Sequence, residues 1–96
     1  MALDQYWEDE GSGEIVTSLG FQEYTAIEPA LAVLEMKTGI SIGMYSDSTL
    51  SPDHARILSR ELSSKERLWR FEPIKQFDQM LCRAVRENRW IRLVGD

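Results

Sequence analysis

The side chains able to act as nucleophile, base or metal ligand are few and scattered in this sequence. His54 is the single histidine and Cys82 the single thiol of a 96-residue chain. A thiol attacks as the thiolate, which needs a neighbouring base or cation, and neither residue has an activating group in its local sequence. His54 reads as an exposed residue in the first turn of a helix, and Cys82 as a small hydrophobe at a core boundary. Clustered Cys and His ligands of the structural-zinc type are missing, so neither a metal nor a cofactor is expected.

Carboxylates are abundant, but acid–base chemistry requires two of them held at a fixed separation. Glu8, Asp9 and Glu10 run directly into Gly11, Ser12 and Gly13. That composition predicts an acidic arm or loop over residues 1–13, a poor support for catalytic geometry. Asp47 is better placed, in the loop Tyr45-Ser46-Asp47-Ser48-Thr49 between two regular elements, where a contact residue and a turn-forming Asp are both consistent readings. Gly11-Ser12-Gly13 lacks the Lys-Ser/Thr and the strand-to-helix setting of a phosphate loop, and its acidic neighbours repel phosphate. With no nucleophile, base and orienting group in one place, the chain is not expected to be an enzyme.

The elements that position these residues follow from periodicity. Ile27, Leu31 and Leu34 fall on one side of a helix predicted over 25–38, with Gly39 as its stop. Its start is open by one turn: Thr25 and Glu28 form a capping-box pattern, whereas Pro29 at the first helical position would make Glu28 the cap. Leu50-Ser51-Pro52-Asp53 marks a second helix over 51–63, capped by Ser51, with Ala55, Leu58 and Leu62 inward. Pro73 opens a third over 73–88, where Ile74, Phe77, Leu81, Ala84 and Val85 share one face and Gln79, Arg83 and Arg86 the other. Short strands are predicted at 14–19, 40–45 and 90–94. The fold class is mainly α with minor β (α+β): a compact three-helix single domain over 14–96 with a small sheet.

At 43% hydrophobic and 28% charged the composition is that of an ordinary globular domain. The single cysteine and an N-terminus without a secretory signal predict a cytoplasmic protein, and no apolar run approaches the length of a membrane span. The net charge of −5 is unevenly distributed. Eight acids stand against one base up to Ile40, a net −7, and ten bases against eight acids thereafter, a net +2. An acidic half-chain favours fast encounter with a cationic partner, and Glu8, Asp9, Glu10, Glu14, Glu23 and Asp47 are the candidate contacts. Trp7 is expected to be exposed and Trp90 to lie in the core. The alternative is a small regulatory or nucleic-acid-associated protein using Arg83, Arg86, Arg89 and Arg92 beside Trp90, against which stands the overall negative charge. Homodimerisation is open in either case.

From about Ile27 onward the order of features resembles small acidic bacterial immunity proteins, the antidotes encoded beside polymorphic or contact-dependent toxins. The residues that carry the likeness are the helix end from Leu31 to Gly39, the loop Tyr45-Ser46-Asp47-Ser48-Thr49-Leu50-Ser51-Pro52 leading into a helix, and the terminal Leu93-Val94-Gly95-Asp96. The resemblance implies a cognate toxin enzyme, frequently a basic nuclease, neutralised by an acidic surface that blocks its active site or an exosite.

Overall fold

In the computed structural model, which describes residues 2–11 and 13–95, the chain begins with a strand. β1 (Ala2–Trp7) buries Leu3, Gln5 and Trp7 and leaves Ala2, Asp4 and Tyr6 half-buried, the alternation of a strand with one covered face. The arm predicted over residues 1–13 is therefore corrected. Its first half is an interior strand of the sheet, and Glu8–Glu10 form a 3-10 turn rather than a loose tail. Burying Leu3 and Trp7 removes far more apolar surface from water than three adjacent acids resist.

β2 (Thr17–Gly20) returns antiparallel to β1, with Leu3 opposite Leu19 and Asp4 opposite Ser18. Between them lies a buried polar pair: Thr17 Oγ1 donates to Gln5 Oε1 at 2.5 Å, and Gln5 Nε2 donates to the Leu3 carbonyl. Gln5 is fully enclosed, so these bonds meet its need for partners and pin the register.

α1 (Phe21–Thr38) starts about one turn before the Thr25 start and two before the Pro29 start, because Gly20 serves as the cap and donates its N–H to Glu23 Oε1 at 2.7 Å. Pro29 consequently sits inside the helix. The helix stops at Gly39, which adopts φ +82° and donates its N–H to the Glu35 carbonyl. The strand predicted at 40–45 does not form. Ile42 and Met44 are buried from an irregular segment, and β3 (Asp47–Leu50) lies in what reads as the polar loop. Residues 40–45 satisfied the alternation through Ile42 and Met44, yet the backbone partner β4 is met only from Asp47 onward.

α2 (Pro52–Ser63) has the predicted cap: His54 N–H donates to Ser51 Oγ at 3.2 Å, and Ser51 N–H donates back to His54 Nδ1 at 3.1 Å. The connection beyond it contains a 3-10 turn (Glu66–Arg70) that buries Leu68. α3 (Glu72–Glu87) ends at Asn88 in the left-handed conformation, and β4 (Ile91–Gly95) completes the sheet in the order β2-β1-β4-β3, antiparallel throughout. Buried residues of all three helices join Leu3, Trp7, Leu19, Leu50, Ile91 and Leu93 in one cluster. The helices thus cover one face of the sheet and leave the other without a helical cover. The result is a single compact α+β domain with a radius of gyration of 11.9 Å.

Candidate interaction face on the open side of the sheet

Register places the side chains of the uncovered face in rows. Ser18, Asp4, Val94 and Asp47 face one another across β2, β1, β4 and β3, and Tyr6, Arg92 and Thr49 form the next row. Ser18 Oγ donates to Asp4 Oδ1 at 2.6 Å, and the Arg92 guanidinium lies 5.2 Å from the Tyr6 ring centroid, which confirms that these groups share a side. Beyond the second row, Glu8 donates its backbone N–H to the Trp90 carbonyl at 3.0 Å. Trp90 precedes the inward-facing Ile91 and is 50% exposed, whereas Trp7 is 4% exposed. The assignment of Trp90 to the core and Trp7 to the surface is thus reversed. β1 carries Trp7 inward as the third residue of the Leu3-Gln5-Trp7 register, while Trp90 falls on the opposite phase of β4.

Electrostatically the face is acidic. Asp4, Glu8 and Asp47 lie on or beside it against one base, Arg92, and Arg92 is itself engaged, donating from Nη2 to the Gly11 carbonyl at 2.9 Å. Glu8, Glu14 and Asp47 are exposed and make no ion pair with any described residue. Aromatic surface accompanies the acids, from half-exposed Trp90 and, next to Asp47, from Tyr45 at 64%.

The remaining candidate contacts are committed elsewhere. Arg89 reaches across to Asp9 at 2.9 Å and Glu10 at 3.1 Å, and holds Glu87 at 3.3 Å, while its guanidinium lies 4.0 Å from the centroid of the Trp7 ring. The hydrogen bond from Arg89 holds the Asp9 carboxyl below its ordinary range, and Arg83 and Arg89 do the same to Glu87. Glu23 is turned back as the α1 cap. The structure therefore places Glu8 and Asp47 at the open face, leaves Glu14 exposed in the connection before β2, and closes Asp9, Glu10 and Glu23 into intramolecular bonds. Asp4, Tyr6 and Trp90 are the members that sequence reasoning missed. The signal was the alternation of Ala2-Leu3-Asp4-Gln5-Tyr6-Trp7, hidden by a polar Gln at an inward position.

The arginines of the alternative reading are largely occupied as well. Arg83 pairs with Glu87 at 2.8 Å, Arg89 with three acids and Arg92 with Gly11, so of the four only Arg86 lacks a partner among the described residues.

A cavity of about 540 Å³ lies along the exposed side of α3, with Trp7, Met80, Cys82 and Asp78 in its wall. Ser59 Oγ donates to Asp78 Oδ1 at 2.7 Å and approaches Cys82 Sγ at 3.5 Å, while Cys82 lies 3.9 Å from Asp78 Oδ2. Burial raises the Asp78 carboxyl above its ordinary value, against the opposing hydrogen bonds from Ser59 and Cys82. His54, the only imidazole of the chain, accepts the Ser51 N–H at Nδ1. The trio is a satisfied polar contact between α2 and α3. No cluster of three His, Cys, Asp or Glu residues suited to a metal occurs among the described residues, and no helix among them is long and apolar enough to cross a membrane. In comparisons with protein-family models, curated proteins and solved structures, nothing matches this chain.

Proposed function

We propose that this chain is a binding protein of the immunity type, acting in the cytoplasm, which neutralises a cognate toxin enzyme by laying the open face of its sheet over the toxin's active site or an exosite. The observation that carries this reading is the grouping, on one uncovered face, of acids without intramolecular ion pairs (Glu8 and Asp47), Asp4 and the exposed ring of Trp90. Acids on a flat, rigid sheet steer a basic partner at long range, and an aromatic anchor that becomes buried then slows its departure. The role is occlusion, not chemistry.

The direct test is titration against the product of the neighbouring reading frame by calorimetry and stopped-flow fluorescence at low and physiological salt. Association in the micromolar range or tighter at low salt, weakening as salt rises, is the expected result. Glu8→Lys and Asp47→Lys should lower the association rate, and Trp90→Ala should mainly raise the dissociation rate. Absence of binding at low salt would end this reading. Equal loss from Asp9→Lys and Asp47→Lys would place the contact elsewhere than on the open face.

A further inference from the structure

On the helical side, away from the acidic sheet face, α1 and the 3-10 turn before α3 enclose a groove. A cavity of about 580 Å³ bounded by Phe21, Ala26, Arg70 and Phe71 meets a second of about 260 Å³ that shares Thr25, Ala26, Arg70 and Phe71 and extends to Pro29 and Arg67. Phe21 leaves 60% of its surface in solvent at the first position of a helix, where nothing in the fold requires an aromatic ring. That volume is ample for one aromatic side chain with its flanking backbone.

Two polar features lie along the same groove. Arg67 and Arg70 are both exposed and neither pairs with a carboxylate of the described residues, although the protein carries an excess of acid. Arg70 is held 5.0 Å from the centroid of the Phe71 ring, which keeps its charge beside the apolar wall. Independently, Pro29 has no N–H, so the carbonyl of Thr25 lacks the donor that an interior helical residue would supply from position 29. Thr25 and Pro29 both line the groove.

We infer that the groove binds an acidic, extended segment of a partner protein: an apolar side chain inserts between Phe21 and Phe71, its flanking carboxylates meet Arg67 and Arg70, and a backbone N–H bonds the Thr25 carbonyl. Its charge is opposite to that of the open sheet face, so the two surfaces select different partners or different parts of one partner.

The test is a 15N-HSQC titration of the full chain with the acetylated, amidated peptide DEFED, alongside DEAED and KKFKK. DEFED should shift the amides of Ala26, Arg70 and Phe71, and DEAED should bind about tenfold more weakly, the loss of one buried aromatic contact. Arg67→Glu combined with Arg70→Glu should weaken DEFED by about tenfold or more, since both carboxylate contacts become repulsive. Pro29→Ala is the discriminating variant. It restores a helical N–H to the Thr25 carbonyl, so it should raise the melting temperature while weakening DEFED about fivefold, the worth of one hydrogen bond. Shifts confined to other residues, KKFKK binding as well as DEFED, no saturable shift, or a Pro29→Ala protein that binds unchanged would each overturn the assignment. Dispersed spectra from every variant confirm that the fold is intact.

Discussion

The contrasting environments of Trp7 and Trp90 make the sharpest test of the fold. Trp7 is 4% exposed beneath the Arg89 and Arg83 side chains, and Trp90 is 50% exposed on the other side of the sheet. An enclosed Trp removes about 150–250 Å² from water, which at about 25 cal/mol per Å² is worth some 4–6 kcal/mol as an upper limit, and Trp-to-Ala changes in cores lose about 3–5 kcal/mol. A domain of 96 residues has about 5–14 kcal/mol of total stability. Trp7→Ala should therefore consume about a fifth of it or more and lower the urea midpoint by about 2 M, for a typical slope of about 2 kcal/mol per M. Trp90→Ala leaves no cavity and loses about half the area at most, so its effect should stay below about 2–3 kcal/mol and about 1–1.5 M. Fluorescence supplies a second readout, taken in a Trp69→Phe background because the third tryptophan is itself partly exposed in the 3-10 turn: there Trp90→Phe should remove most of the iodide-quenchable emission, and Trp7→Phe a blue-shifted, protected component. Equal midpoint shifts for the two Ala variants, or quenching that persists in Trp90→Phe, would refute the placement of β1 as an inward-facing interior strand.

Burial raises the Asp78 carboxyl above its unfolded value of 3.8, so the folded protein binds this proton more tightly than the unfolded chain does. Its protonation contributes stability that is full below pH 3.8 and lost as the pH rises through the folded value, and Asp78→Asn should match or exceed the wild type at pH 7 while that advantage shrinks toward pH 4 in urea melts. Thr17→Val deprives the enclosed Gln5 oxygen of its donor and should lose about 1–3 kcal/mol, whereas the Gln5→Leu, Thr17→Val pair should recover part of that loss; strict additivity would show that the buried pair is not coupled. Gly39→Ala meets no neighbouring atom within 4 Å, so its expected destabilisation of about 1–2 kcal/mol is purely conformational, set by φ +82°, and a neutral result in thermal melts would rule out the left-handed cap.

The helices were legible because their signals are local. Ser51-Pro52 and Pro73 mark two starts, Gly39 one stop, and the apolar positions of α2 and α3 recur at helical spacing, so Ala55, Leu58, Leu62, Ile74, Phe77 and Leu81 are buried as expected. Strands depend on partners distant in sequence, and there the reading succeeded only in part: 90–94 and 14–19 meet β4 and β2, whereas 40–45 is no strand and β1 and β3 were missed. Nothing near Asp47 announces that it lies opposite Val94, and nothing near Gln5 announces Thr17 as the hydroxyl donor that makes a polar residue tolerable inside. The start of α1 was missed for a different reason. A Gly cap completed by a Glu three residues later carries no side-chain oxygen at the cap itself, and Pro29 drew the boundary toward a position where its missing N–H would leave no carbonyl unpaired.

The uneven charge of the chain acquires a different meaning once Arg89 is in place. The basic C-terminal half does return to the acidic N-terminal half, and among the described residues the ion pairs between the halves run through Arg89, which binds Asp9 and Glu10 together with Glu87 of its own half. Left outside that cancellation are Glu8, Glu14, Glu28 and Glu35 of the acidic half, exposed and without an ion pair among the described residues, and of these Glu8 joins Asp4 and Asp47 at the open face. Arg89→Gln should separate the two roles of the hub. Freed Asp9 and Glu10 would strengthen the negative field and quicken association with a basic partner at low salt, while loss of the guanidinium from the Trp7 ring would lower the melting temperature. The Asp9 carboxyl would return upward toward its ordinary value, a change readable by NMR titration of that side chain. If the Asp9 titration and the association rate both stay as in the wild type, Arg89 does not neutralise these acids in solution, and the cancellation between the two halves fails.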